Sequence, residues 1–398
     1  MGIFTKTEEK SELMAVFDIG SSSIGGALFW TEKSGVPKIV FSAREPIIIE
    51  NEINVNKFLS LTVKSLQIIA DKMYKAKIGA PKKIFCVLSS PWHVSQTRVI
   101  SLRKNTPFIF NSKLADELIK KEISIFEDEY KGQYEGISGA ARSIELKNIR
   151  TTLNGYDTID PLSQKAKELE MTIFVSISPE QVLSKIEKVI SKYFHLEAFG
   201  GIKFSSFVMA SFSTVRDIYT HQENFLLIDI GGEMTDISMI KKNILRESVS
   251  FPLGCNFIIR EAASALSCTF AEAESLISLF QDRHAELKTA KKLEPIVSQL
   301  KKKWLEKFQQ SLANISNDIS IPADIYITVP KDLEDFFTQM IKTEQFNQYT
   351  LTESKFQVTF LGTDVFHDFA EFGEGVARDS GLIIDSIYIN RFFQKTKQ

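Results

Sequence analysis

Two strand–turn–strand segments repeat one pattern half a chain apart, and this repeat constrains the fold more than any other feature. Residues 16–29 read VFDIGSSSIGGALF, and residues 227–237 read LIDIGGEMTDI. In each segment an aspartate, Asp18 or Asp229, stands in an apolar strand just before a glycine turn, and the two aspartates lie 211 residues apart. An internal repeat at this distance predicts two similar domains that face each other across a cleft.

The turn residues are of the types that bind a polyphosphate. Glycine lets the backbone approach an anion closely, and its N–H can point at an oxygen. Hydroxyl side chains add donors to the same anion. The predicted phosphate-binding residues are Gly20, Ser21, Ser22, Ser23, Gly231, Gly232 and Thr235.

The two aspartates need a partner, because an acid in an apolar strand costs desolvation energy. Their charge repels phosphate, so we expect Asp18 and Asp229 to hold Mg²⁺ through water or to orient an attacking water. They are therefore the predicted metal and catalytic residues. The alternative, in which each aspartate only caps its turn, weakens when the same pattern occurs twice.

Composition narrows the class of protein. The chain has 398 residues and a net charge of −2, which gives no electrostatic argument for nucleic acid binding. Its three cysteines are far apart and form no metal or disulfide pattern, which is typical of a reducing compartment. No apolar run approaches the length of a membrane span, and residues 1–10 lack signal-peptide features. We therefore expect a cytoplasmic protein.

The predicted elements start in the order βββ–α–β, which suits a mixed α/β sheet covered by helices. Polar strands and one helix then interrupt the pattern and predict a small inserted α+β subdomain. Further on, we expect a helix over Pro179–Tyr193 with Ser178 as its cap, a break or kink at Pro295, and short strands at the end. The predicted divisions are 12–90 (first domain), 91–177 (insert), 178–222 (first domain, continued), 223–375 (second domain) and 376–398 (return segment and tail).

These segments resemble a known superfamily. VFDIGSSSIGGALF is similar to the first phosphate motif of the actin/Hsp70/sugar-kinase ATPases, and LLIDIGGEMTDISMI is similar to their second. Within that superfamily the chain resembles the bacterial FtsA/PilM branch. The features that carry this are the insert from about residue 84 to 177, its segment LNGYDTIDP, and the stretch SFPLGCNFIIREAASALSCTFAEAESLI.

The resemblance implies an actin-like (ribonuclease H-like) two-domain ATPase fold with an SHS2-like insert. It implies ATP with Mg²⁺ as cofactor, and it places ADIYITVPKDLEDFF, with Thr328, at the adenosine. Three departures matter. Val329-Pro330-Lys331 replaces a Gly-Gly turn, Ser205 and Ser206 replace an acid, and Glu233 replaces a small residue. They argue for retained phosphate binding, a degenerate adenosine site and at most a slow ATPase.

The branch implies a cytoplasmic adaptor that uses ATP binding to set a closed, partner-binding state. It would assemble a type IV pilus platform, as PilM does, or a division ring, as FtsA does. The implied partners are the cytoplasmic tail of a PilN-like membrane protein or an FtsZ-like protein, with possible self-assembly and peripheral membrane association, at the inner face of the membrane. Two other functions stay open: a pseudo-ATPase scaffold without nucleotide, and a small-molecule kinase.

The C-terminal residues bear on the choice between the two roles. Arg391, Phe392, Phe393, Lys395 and Lys397 permit a very short basic amphipathic end of the kind that binds membranes. A frayed terminus after a last strand is the favoured interpretation, because so few apolar residues are present.

Overall fold

Three β-sheets organise the chain in the computed structural model. The structure describes residues 11–32, 35–130, 140–195, 201–282, 284–316, 320–343 and 355–395. The first ten residues, most of the glycine- and serine-rich stretch after residue 130, and Lys397 lie outside the described residues.

The first sheet is mixed, as predicted, with the strand order β15-β3-β2-β1-β4-β9. Its strands are β1 (Leu13–Ile19), β2 (Ser23–Trp30), β3 (Lys38–Pro46), β4 (Lys83–Leu88), β9 (Ile202–Ser206) and β15 (Glu371–Phe372). β1 pairs antiparallel with β2 and parallel with β4. Every residue of β1 is buried, because helices cover both faces. They are α1 (Val55–Lys75) and α3 (Glu180–Ile190) on one face, and α4 (Phe207–Ile218) and α9 (Ser380–Lys395) on the other.

The second sheet repeats this arrangement in the order β12-β11-β10-β13-β14. Its strands are β10 (Phe225–Ile230), β11 (Thr235–Lys241), β12 (Ile244–Phe251), β13 (Asp324–Thr328) and β14 (Gln357–Phe360). β10 pairs antiparallel with β11 and parallel with β13, as β1 does with its neighbours. The helices α5 (Cys255–Leu266), α6 (Phe270–Gln281), α7 (Leu287–Ser316) and α8 (Glu334–Thr343) complete this half. The two predicted hairpins therefore hold equivalent positions in two similar sheets.

The insert is an α+β unit, as predicted. Its sheet has the order β5-β8-β6-β7, with β5 (Val94–Ile109), β6 (Ala141–Leu153), β7 (Tyr156–Asp157) and β8 (Lys165–Pro179). The insert has an apolar core of its own, to which helix α2 (Ser112–Tyr130) contributes Phe126.

A buried carboxylate ties the insert to the first domain. Glu145 on β6 accepts hydrogen bonds from the Ser206 backbone N–H at 3.1 Å and from its hydroxyl at 2.8 Å. The Tyr388 hydroxyl of α9 donates to the other carboxylate oxygen. Burial raises the pKa of Glu145, and these donors oppose that rise. One side chain thus links the insert to the start of α4 and to α9.

Two local expectations were wrong, and a third was wrong in part. Ser178 does not cap α3, since its hydroxyl donates to the Trp92 carbonyl at 2.7 Å. α7 continues through Pro295 without a break, and the alternative of a kink at this residue stays a prediction. The C-terminal end is the helix α9 and not a strand. α9 packs against both the sheet and α4, so it is apolar on several sides and lacks the one-sided pattern of a surface helix.

The chain end also differs from a short basic tail. Arg391 forms an ion pair with Asp217, and Phe392 lies under the Lys147 ammonium at 4.4 Å from the ring centroid. Both residues are therefore engaged inside the molecule, while the side chains of Phe393 and Lys395 lie outside the described part. Strand β15 already pairs with β3, so the chain returns to the first sheet a few residues before residue 376. Within the described ranges, no helix combines the length and apolarity that a membrane crossing requires.

The Glu145 link gives a first prediction. Tyr388→Phe removes one donor from a buried carboxylate and should lower the free energy of unfolding by about 1–3 kcal/mol. Tyr74→Phe is the matched control, because Tyr74 is 60% exposed. Thermal and urea unfolding of both variants test this, and equal stability of the two would contradict it.

Candidate functional site

The two predicted phosphate turns lie in direct contact with each other. A Cβ atom added to Gly232 would lie 2.7 Å from the Ser21 carbonyl oxygen and from the Ser22 nitrogen. The Glu233 N–H donates to the Ser21 hydroxyl at 3.1 Å across the same junction. Glycine at 232 is therefore required by close packing of the two domains, and the hairpins face each other as the repeat predicts.

Many polar groups of the turns are used inside the protein. The Gly20 N–H donates to the Ser23 carbonyl at 3.2 Å, and the Gly231 N–H donates to the Met234 carbonyl at 2.9 Å. The carbonyls of Gly231 and Gly232 accept from the first N–H groups of α5 at 2.9 and 2.8 Å. As the turns stand, a triphosphate cannot lie between them, because protein atoms fill that space.

Arg44 is the partner that Asp18 requires. It lies on β3 opposite Gly25, which lies on β2 opposite Asp18. Its guanidinium passes over Gly25, where a Cβ would lie only 2.9 Å from it, and reaches the Asp18 carboxylate at 2.6 Å. The same guanidinium holds Asp379 by two hydrogen bonds of 2.5 and 2.8 Å and the Ser23 hydroxyl at 3.0 Å.

This ion-pair group sets the charges of the first domain's site. Burial lowers the pKa of Arg44, but the charges of Asp18 and Asp379 outweigh it and raise the pKa overall. Burial raises the pKa of Asp18, and Arg44 opposes the rise. For Asp379, Arg44 outweighs burial and lowers the pKa. The guanidinium therefore supplies the positive charge at Asp18.

Asp229 has a hydroxyl partner, and no cationic side chain among the described residues forms an ion pair with it. The Thr328 hydroxyl donates to its carboxylate at 2.6 Å, so the structure brings these two predicted residues together. Asp229 is partly exposed at the cleft, yet burial is the largest cause that raises its pKa to about 7. The neighbouring Asp236 raises it further, and Thr328 opposes the rise.

A third carboxyl group, Asp385 on α9, was missed by sequence reasoning. It is fully buried, and neither of its oxygens has a hydrogen-bond partner within the described part of the chain. Burial, and then the charge of Asp18, raise its pKa well above the ordinary value.

The carboxylates Asp18 and Asp229 do not form a site for a magnesium ion that is bound directly by protein side chains. In the part of the chain that the structure describes, no group of three or more His, Cys, Asp or Glu side chains is arranged to hold a metal. Asp18, one of the two carboxylates predicted to hold Mg²⁺ through water, is ion-paired with Arg44, and the other, Asp229, accepts a hydrogen bond from Thr328. The magnesium site held through water stays a prediction.

The side chains of Thr235 and Glu233 form hydrogen bonds and an ion pair inside the second domain. Thr235 is buried, donates to the Leu253 carbonyl at 2.7 Å, and accepts from the Trp304 indole N–H at 3.3 Å, so it does not face the cleft. The Glu233 carboxylate, which stands where the superfamily has a small residue, is ion-paired with Arg260 and accepts from the Asn256 amide at 2.7 Å.

A cavity of about 620 Å³ opens beside Ser22, between the two domains. The first domain contributes Ser22 and the segment after β3, and the second contributes α5, α6 and the turn after β13. Pro330 lines this cavity and does not fill it. The remaining lining residues are Pro46, Ile47, Ile49, Cys255, Asn256, Ile259, Glu274, Ser275, Ile277, Ser278, Leu279, Asp332 and Leu333.

The pKa of Asp229 gives a pH prediction. An acid whose folded pKa lies above its unfolded value of 3.8 binds more protons when folded, so its contribution to stability falls as the pH rises from about 4 to about 7. Asp229→Asn cannot titrate and keeps an oxygen for Thr328, so this variant should lose less stability than the wild type between pH 5 and pH 7.

Urea unfolding at a series of pH values measures the difference. Asp160→Asn, at an exposed position of the insert, is the control and should keep the wild-type pH dependence. An unchanged pH slope in Asp229→Asn would show that Asp229 does not titrate in this range.

Comparison with known proteins agrees with this geometry. Residues 226–375 match the family model of cell division protein FtsA. No curated protein matches the chain in sequence. A solved structure described as the PilM-PilN type IV pilus biogenesis complex is similar over 96% of this chain and 98% of that chain, with 10% identity and a TM-score of 0.58. The ethanolamine utilization protein EutJ from Carboxydothermus hydrogenoformans is 10% identical over 96% of this chain and 90% of its own, with a TM-score of 0.40.

The first structural match shows the fold, and the family-model match covers most of the second domain. The chain therefore has the predicted actin-like ATPase fold, and its resemblance to the FtsA/PilM branch of that superfamily is confirmed.

Proposed function

We propose that the chain is an adaptor of FtsA/PilM type that assembles a membrane-associated machine at the inner face of the cell membrane. An adenine nucleotide in the cavity beside Ser22 sets how closely the two domains approach each other. The observation that carries this proposal is the cavity itself, whose volume of about 620 Å³ is in the range of small-molecule sites. The resemblance to the FtsA/PilM branch supports the adaptor class.

The cavity walls suit a nucleoside. Ile259 and Leu333 supply apolar surface for a base, and Asn256 and Ser278 supply polar groups for a ribose or base edge. Pro330 stands where the superfamily has glycine, and its side chain lines the cavity without filling it. Two acidic side chains line the cavity, Glu274 and Asp332, and both belong to the second domain. A small-molecule kinase of this fold needs a catalytic acid on the first domain, so the cavity does not favour the kinase alternative.

The phosphate end of such a ligand points to Ser22. A diphosphate there leaves the contact of Gly232 with Ser21 and Ser22 intact, whereas a triphosphate between the turns requires that contact to open. Nucleotide identity would then set the distance between the domains. No hydrolysis step is part of this proposal.

A second cavity supports a partner site. It measures about 260 Å³ and lies between the insert and the first domain, where Glu145, Lys147, Lys203, Tyr388 and Phe392 line it. The similar solved structure is described as a PilM-PilN complex. We propose that a PilN-like cytoplasmic tail binds this chain here, and that the division-ring role with an FtsZ-like partner is the alternative.

A nucleotide-free scaffold is the second candidate function. It is favoured by the direct contact of the two turns and by Arg44, which supplies positive charge at Asp18 without a metal ion. In this case the closed state is built into the chain and needs no ligand.

Titration calorimetry with ATP and ADP, each with and without Mg²⁺, separates the two functions. We expect binding by the wild type and at least a tenfold loss in Ser278→Trp, because an indole fills the cavity. Ser264→Trp is the control, since Ser264 is exposed on α5 of the same domain and does not line the cavity. A folded wild type that binds neither nucleotide would overturn the nucleotide-dependent adaptor and leave the scaffold.

The turn contact gives a further prediction. Gly232→Ala places a Cβ 2.7 Å from backbone atoms of Ser21 and Ser22, so the two domains must move apart. We expect a larger radius of gyration in small-angle X-ray scattering and a lower unfolding midpoint. Gly373→Ala is the control, because its Cβ would meet its neighbours at ordinary distances of 3.4 Å or more. Equal scattering of the two variants would contradict the contact.

A further inference from the structure

The far end of the insert carries exposed apolar side chains. β8 joins the first domain at Pro179 and begins 14 residues earlier at Lys165, where it pairs with the end of β5. The hairpin of β6 and β7 lies at this same end, because Leu153 pairs with both Tyr156 and Leu169. We call residues 103–113 and 150–168 the insert tip.

Four apolar side chains of the tip face solvent, while Phe110, Leu153 and Ala166 are buried in the core of the insert. Ile159 is fully exposed and Tyr156 is 78% exposed, and Ile109 and Leu162 are about half exposed. The Ser163 N–H donates to the Phe110 carbonyl at 2.8 Å, and the Asn154 side chain accepts from the Lys167 N–H at 2.8 Å. Ile159 lies on the loop between these two hydrogen bonds. The bonds hold that loop against the end of β5 and against β8.

The tip is positively charged in a chain that is slightly negative overall. Its two ranges contain six basic and three acidic residues, against a net charge of −2 for the chain. Two of the acids are matched, since Arg150 contacts Asp157 at 2.5 Å and Arg103 contacts Glu168 at 2.7 Å. The other charged residues of the tip are Lys104, Lys113, Asp160, Lys165 and Lys167.

We propose that the insert tip binds the surface of an anionic lipid membrane. Ile159 and Leu162 enter the boundary between headgroups and acyl chains, and Tyr156 lies at the headgroup level, where amphipathic aromatic rings are stable. The lysines contact anionic headgroups through their charges, which salt screens. A symmetric pair of tips from two copies is disfavoured, because it brings like charges together. The proposal goes beyond the proposed function by naming a surface, and it involves no nucleotide.

Co-sedimentation of the full chain with vesicles tests the proposal. We expect binding to phosphatidylcholine vesicles that contain about one third phosphatidylglycerol, weaker binding at high salt, and little binding to phosphatidylcholine alone. Ile159→Asp should abolish binding, and Lys165→Gln with Lys167→Gln should weaken it by about tenfold or more. Leu287→Asp is the control, because Leu287 is 81% exposed on α7, far along the chain in the second domain.

The outcomes are decisive in either direction. Vesicle binding that Ile159→Asp loses and Leu287→Asp keeps supports the proposal, as does a blue shift of indole fluorescence in Tyr156→Trp on vesicle addition. Absence of binding by the folded wild type at low salt would overturn it, and so would unchanged binding of Ile159→Asp. Self-association in analytical ultracentrifugation that Ile159→Asp dissolves would assign the tip to a second copy. These results are independent of nucleotide titration, so the two proposals fail separately.

Discussion

The ion pair of Arg44 with Asp18 and Asp379 holds the first domain together at the point where its function is expected. The guanidinium joins β3, β1 and the start of α9 in one group. Asp379 also accepts from the Leu382 N–H at 2.9 Å and so caps α9, which means that the helix position depends on the same carboxylate. If one partner were removed, an uncompensated charge would remain in a largely buried place.

This group changes the chemistry that the two hairpins can support. In the predicted site Asp18 and Asp229 hold Mg²⁺ through water or orient an attacking water, whereas here Asp18 is paired with Arg44 and Asp229 accepts from the Thr328 hydroxyl. Burial raises the pKa values of Asp229 and Asp385, and neighbouring carboxylates raise them further. The charge of Asp18 is therefore balanced inside the protein, and Asp229 has the Thr328 hydroxyl as its hydrogen-bond donor.

The sequence alone predicted the two facing hairpins of the site but not the ion pairs that hold them. The repeat of Asp18-Ile19-Gly20 in Asp229-Ile230-Gly231 predicted two facing hairpins, because both residue types and strand register recur. Arg44 was missed because its contact with Asp18 crosses β2, and only the missing side chain of Gly25 permits it. α9 was taken for a strand because its burial on several sides removes the helical pattern. The loss of the Gly-Gly turn did not predict the open cavity that Pro330 lines.

α9 connects the cleft with the insert and so gives the proposed adaptor a physical route between its two sites. At its start Asp379 holds Arg44, and Asp385 faces the same group from the next turn. One turn further Tyr388 holds Glu145 of the insert, and Phe392 lies under Lys147. A change at the cleft that moves the start of α9 must therefore also act on the groove beside the insert, because the helix is a rigid element packed at both ends. Under the proposed function, Asp379, which pairs with Arg44 at the cleft, also caps the helix that reaches the partner site.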